Sequence, residues 1–146
     1  MNQPIWREVV KDREVSARPE GGLWTVVIEY VTGPRKLKIG ARGHWALSAS
    51  QRCGPDGDEM ASGGVSGCLS DAAPRGCLIA KVGGGTADLK ARVHAIGRFA
   101  IIELPDPGEA SGATSPRGAF FLTMNDEPSA FQRHEGMLIV DIWEAS

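Results

Sequence analysis

An all-β antiparallel sandwich is the fold class that this sequence predicts. Three observations carry it. Short β-type runs alternate with Gly/Pro-rich turns along nearly the whole chain. Several of those runs alternate apolar and polar residues with period two. Heptads, long amphipathic helices and internal repeats, which would point elsewhere, are missing.

The runs fall at residues 5–10, 23–31, 36–41, 77–82, 90–96, 98–104, 119–124 and 137–143. In the second, Trp24, Val26, Ile28 and Tyr30 should share one face. In the third, Lys36 and Lys38 should face out, with Leu37 and Ile39 facing in. In the last, Leu138, Val140 and Ile142 share a face, opposite Ile139, Asp141 and Trp143. Breakers sit between the runs: Gly33-Pro34, Gly97, and Pro105-Asp106-Pro107-Gly108. Gly97 predicts a tight turn or bulge. Two long loops are expected, from about Ser48 to Arg75 and from Pro105 to Gly118. Long loops in compact domains often carry function. A short helix has room between Val65 and Ala73, on a weak pattern.

A chain of 146 residues predicts one domain spanning 1–146. Its 42% hydrophobic and 23% charged residues are ordinary for a globular protein. A net charge of -2 provides no basic excess to neutralise a nucleic-acid backbone. A polybasic cluster or long apolar run that would address a membrane is also lacking. The N-terminus carries Arg7, Glu8, Lys11, Asp12, Arg13 and Glu14 where a secretory signal needs an apolar stretch, so cytoplasmic residence is expected. The three cysteines, Cys53, Cys68 and Cys77, have no CxxC spacing, which disfavours structural zinc. The odd count favours reduced thiols, with a Cys53–Cys68 bridge as the alternative.

Three motifs carry potential chemistry. Cys53-Gly54-Pro55-Asp56-Gly57-Asp58 gathers Asp56, Asp58 and Glu59, carboxylates of the kind a hard cation such as calcium needs. Its turn dipeptides also read as a plain solvated turn, and the spacing is not that of an EF-hand. Met124-Asn125-Asp126-Glu127-Pro128 ends an apolar strand. It reads as a turn whose side chains bond backbone, or as an Asp126 carboxylate facing a ligand or ion. Gly83-Gly84-Gly85-Thr86 lacks the Gly-Lys-Ser/Thr ending of a phosphate loop and reads as a hairpin. A Gly-x-Ser-x-Gly elbow and a His-Glu-x-x-His pair are both missing. His44, His94 and His134 are widely spaced and read as structural or surface residues, and Trp45 as core, with a sugar-stacking face as the alternative.

Taken in order, these pieces resemble the PA-I type galactophilic lectins of bacteria. The resemblance rests on residues 39–45 (IGARGHW), 53–58 (CGPDGD), 76–83 (GCLIAKVG), Gly97-Arg98-Phe99 and 118–128 (GAFFLTMNDEP), and covers roughly residues 23–143. It implies a jelly-roll-like, galactose-binding-domain-like sandwich. It also implies calcium-dependent galactose binding, with the ion bridging protein oxygens and two sugar hydroxyls. Residue by residue, Asp126 matches the carboxylate ligand and the only retained metal side chain, and Ala130 supplies a carbonyl. The family's two consecutive asparagines fall on Arg133 and His134. Arg133 has no acceptor. A guanidinium about 5 Å from a divalent ion repels it by several kcal/mol even at an effective dielectric near 20. The sugar-contacting His and Gln fall near Ala61 and Gly64, whose side chains cannot hydrogen-bond. Calcium is therefore disfavoured and no other cofactor is expected.

The expected function is a non-catalytic, lectin-like binding domain recognising a saccharide through loops at one end of the sandwich. Its ligand surface would be Asp56, Asp58, Asp126, Arg133 and His134. The alternative is a protein-interaction or assembly module that kept the fold and lost the sugar. A hydrolase using Asp126 and His134 is the more distant reading. If the final run is an edge strand, its Ile139 and Trp143 would suit a homo-oligomer contact.

Overall fold

The structure, a computed structural model, describes residues 5–58, 66–83, 93–105 and 117–145. Within them lie nine strands: β1 (Arg7–Ser16), β2 (Thr25–Thr32), β3 (Arg35–Ser48), β4 (Gln51–Cys53), β5 (Leu78–Val82), β6 (Val93–Ala95), β7 (Phe99–Leu104), β8 (Arg117–Met124) and β9 (Glu135–Ala145). One sheet runs β1-β9-β3. Beyond β3, β7 pairs with its first half and β4 with its last residues. The other sheet runs β2-β8-β5-β6, and every pairing is antiparallel. The two sheets form a sandwich, as the alternating runs predicted.

The inner faces supply one core. Leu37, Ile39, Leu138, Val140 and Ile142 enter from the first sheet, and Val31, Leu78, Ala80, Phe120, Leu122 and Met124 from the second. The alternation expected of β3 and β9 is present in full, with the lysines of β3 and Ile139, Asp141 and Trp143 on the outer side. Trp45 is buried in the same core. A smaller cluster of Trp24, Ala73, Cys77, Ile79 and Phe121 lies on the other face of the second sheet. Two covered faces explain why β5 is apolar on both sides at Leu78, Ile79 and Ala80, ahead of the buried Lys81.

Several expectations are corrected. Trp24, Val26, Ile28 and Tyr30 do not share a face. Register shifts between Val26 and Ile28, and again between Ile28 and Val31, turn the strand over. Val26 and Tyr30 are therefore 38% and 60% exposed, while Val31 is 1% exposed and in the core. The final strand is not an edge, because β9 lies between β1 and β3. The Ser48–Arg75 stretch is not all loop, since β4 lies in it and pairs with the end of β3. Described residues 66–73 form turns and bends, not a helix. Among the described residues a helical turn lies elsewhere, a 3-10 helix at Pro128–Arg133 with proline in its first turn, where the missing N–H costs nothing. Residues 90–92 of the fifth predicted run, the loop 106–116, and Val65 lie outside the described residues. No helix among the described residues is long and apolar enough to cross a membrane.

All three cysteines are free thiols. Burial pushes Cys53 and Cys77 up to about 11. At pH 8 a thiol reagent should therefore modify only the half-buried Cys68 in the native protein, with the other two reacting after denaturation. The strand reversal in β2 has its own test. In urea denaturation, Val31→Ala should cost on the order of 2 kcal/mol, whereas Tyr30→Ser should stay within roughly 0.5 kcal/mol.

Candidate functional site at the Asn125–Asp126 end

Strand β8 delivers its last core residue, Met124, and then two polar residues that are themselves buried, Asn125 and Asp126. A buried polar group must find partners or cost free energy. Asn125 finds them in the segment before β5. Its Oδ1 accepts from the Ser70 N–H at 2.8 Å, and its Nδ2 donates to the carbonyls of Ser70 and Ala73, each at 2.9 Å. Its backbone continues the clasp. The Asn125 N–H donates to Cys77 O at 2.8 Å, and the Gly76 N–H donates to Asn125 O at 2.7 Å. Gly76 is held from the other side too, its carbonyl accepting the Trp45 indole N–H at 2.9 Å. Its φ of +89° and a would-be Cβ 2.7 Å from Cys53 Sγ leave room for glycine alone.

Asp126 is 3% exposed. Its Oδ1 accepts from the Arg75 guanidinium and from the Glu127 N–H, the latter at 2.7 Å. Its Oδ2 faces His134 Nε2 at 2.8 Å. The other nitrogen of His134, Nδ1, donates to the Ala17 carbonyl at 2.8 Å, and the ring packs 4.5 Å from that of Phe131. Burial pushes the Asp126 carboxyl up, but the bonds from His134 and Glu127 and the Arg75 charge outweigh it and hold it below its ordinary value. Arg75 also links to the neighbouring loop, its carbonyl accepting the Asp58 N–H at 2.8 Å.

The five residues singled out in the sequence thus fall into four environments. Asp126 and His134 are joined by a direct bond. Asp58 lies across Arg75 from them, its Oδ2 accepting from Gln51 at 3.4 Å. Asp56 sits in the Gly54–Gly57 turn and pairs with Arg98, accepting the Arg98 N–H at 2.8 Å. Arg133 ends the 3-10 helix and is exposed. Ala130 is buried. Glu59, Ala61, Gly64 and residues 84–86 lie outside the described residues. Among the described residues, no three His, Cys, Asp or Glu are gathered in a way that could hold a metal ion.

Two open grooves flank this end. One, of about 840 Å³, runs between β1, the Arg18–Glu20 turn, Thr25 and the start of β9. The other, of about 450 Å³, lies between the β3–β4 turn and the 3-10 helix. Arg18, His134 and Glu135 line both. Asp56, Asp58 and Asp126 line neither, and Arg133 lines the smaller. Both volumes lie in the usual range of small-molecule sites, roughly 300–1,000 Å³.

No protein-family model matches the chain, and no curated protein matches it. Among solved structures the chain is similar to the EclA N-terminal domain, a PllA-like lectin. The TM-score is 0.63 at 15% identity, over 92% of this chain and 96% of that one. The fold is lectin-like. Within this fold both ring nitrogens of His134 are engaged inside the protein.

Sequence reasoning found Asp126 and His134 but missed Arg75, Ala17 and Arg18. Arg75 lies 51 residues from Asp126, and Ala17 lies 117 residues from His134. Local patterns carry no sign of contacts at that distance. The one available signal was an Asn-Asp pair directly after an apolar strand, which demands buried partners somewhere.

The network predicts an acid dependence. A carboxyl held low in the folded chain adds stability above the unfolded carboxylate value, near pH 4. That stability is lost as pH falls through the lower folded value. Asp126→Asn should cost about 3 kcal/mol at neutral pH by taking from the buried Arg75 the nearer of its two carboxylates and breaking the bond to His134. It should also flatten the acid limb of a stability–pH curve measured by urea denaturation.

Proposed function

We propose that this protein is a non-catalytic, lectin-like module that binds a saccharide without calcium, at the end of the sandwich where Arg133 and His134 meet the β3–β4 turn. The observation that carries this reading is the 450 Å³ groove there. Ser48, Ser50, Gln132, Arg133 and Glu135 line it and offer donors and acceptors of the type that sugar hydroxyls need. The lectin-like fold adds support, since loops at the ends of such sandwiches form binding surfaces.

Support for a calcium-free mode comes from the donor set. Both oxygens of Asp126 already carry partners, one of them the Arg75 cation. His134 turns its two nitrogens to Asp126 and to Ala17, and Arg133 supplies a further positive charge and no acceptor. These residues do not fit a hard divalent cation, which asks for six to eight oxygens.

A second reading, a protein-interaction module, has one specific observation in its favour. Strand β7 pairs only with β3 among the described residues, and its Phe99 and Ile101 are 59% and 51% exposed. An apolar, half-paired strand is a natural contact for another chain.

Thermal melting of chelator-treated protein across a saccharide panel separates the two. At a hundredfold excess over Kd, a ligand that binds only the native state raises the melting temperature by roughly 5 °C or more. The saccharide reading expects that shift for at least one sugar, with added calcium changing nothing. Silence across the panel, together with loss of self-association or partner binding in Phe99→Asp, would favour the interaction module.

A further inference from the structure

We propose that the groove between the β3–β4 turn and the 3-10 helix selects acidic saccharides, with Arg18 and Arg133 together receiving the carboxylate of a hexuronic acid unit. This inference rests on the saccharide reading and adds the chemical class of the ligand.

The first argument is an imbalance of partners. Arg7, Arg35, Arg42, Arg75 and Arg98 each pair with a carboxylate of the chain. Among the described residues Arg18 and Arg133, like Arg13, Arg52 and Arg117, form no carboxylate pair, and of these Arg18 and Arg133 are the ones that line this groove, both exposed. Only one acid, Glu135, shares that wall with them. The neighbouring groove is the reverse, with Glu14, Glu20 and Glu135 around the single Arg18. An anion is therefore drawn to the Arg133 side and repelled from the other.

The second argument is geometry. Arg18 donates from one terminal nitrogen to the Gln132 carbonyl at 3.3 Å. That bond ties the guanidinium to the residue beside Arg133 while leaving most of its five N–H donors unused. The Gln132 and Arg133 backbone is fixed in turn by the 3-10 helix, whose end is anchored by buried His134. Two planar forks on a fixed frame suit a planar carboxylate, which accepts paired N–H bonds from each. Charge-assisted bonds of this kind are roughly twice as strong as neutral ones.

The third argument separates a sugar from an acidic peptide. Beside the two cations stand the Ser48 and Ser50 hydroxyls, 3.5 Å apart, and the Gln132 amide. Such groups match the ring hydroxyls that flank a uronate carboxylate. An aromatic or large aliphatic anchor of the kind that dominates peptide recognition is missing from the lining.

The test is calorimetric titration of the full chain with trigalacturonate, its fully methyl-esterified form, a neutral galactose trisaccharide and a tetraglutamate peptide. The acidic sugar should bind at least about tenfold more tightly than the other three, and its affinity should fall with added salt. Arg18→Ala and Arg133→Ala should each weaken it by about tenfold or more, with Arg133→Lys recovering only part. Both positions are exposed, so the variants should melt like the parent, and Arg7→Ala, at the start of β1, should bind unchanged. Equal affinity for the acidic and neutral sugars would overturn the inference and leave the saccharide reading intact. So would arginine variants with full affinity, or tetraglutamate binding as tightly as the uronate. Silence toward every sugar would overturn both.

Discussion

The lectin-like end of this molecule depends on one polar constraint: two buried side chains, Asn125 and Asp126, at the end of an apolar strand. Neither can stay there without partners. Asn125 therefore pulls the segment Ser70–Ala73 across the outer face of the second sheet. Asp126 pulls in Arg75, two residues beyond that segment, and His134 from just before β9. One dipeptide thus joins β8, the loop before β5 and the start of β9. The small cluster around Trp24 and Phe121 has a lid because of it, since Leu69, Ala73 and Cys77 belong to the segment it holds. Fully satisfied buried networks of this sort fix a unique arrangement, and partly satisfied ones do not.

That constraint also sets what the end offers to a ligand. The Asp126 carboxylate that the sequence resemblance singled out is spent on the protein's own Arg75 and His134. In the smaller groove two exposed cations, Arg18 and Arg133, face solvent beside one acid, Glu135. His134 connects the two levels. Its ring is buried against Asp126 and Ala17, and its neighbour Arg133 stands at the groove. The calcium-free and acid-selective proposals both follow from this division between an internally neutralised clasp and an exposed basic wall.

Much of the fold was legible because period-two alternation survives wherever a strand covers one face of the core without interruption. β3 and β9 are the clear cases, with Leu37, Ile39, Leu138, Val140 and Ile142 all fully buried. β2 was misread because two register shifts invert its faces, and no residue type marks a bulge within Val26–Val31. β4 was missed because three residues are too few to show a period. The place of β9 in the middle of its sheet was hidden for another reason. Strand order is a property of long-range pairing, and β9 joins β1 from the far end of the chain. The site was half legible on the same grounds. An Asn-Asp pair announces itself locally, while Arg75, Ala17 and Arg18 reach it only through the fold.

The most direct test of the central constraint is amide hydrogen exchange at Ser70 and Gly76 in chelator-treated protein, with and without added calcium. Both amides donate to Asn125, so their exchange reports whether the clasp is closed. If protein charges alone hold it, both amides should exchange slowly in chelator, near the rates of the β8 core, and calcium should change neither. Fast exchange in chelator that calcium suppresses would contradict the account and give the metal the role assigned here to Arg75 and His134.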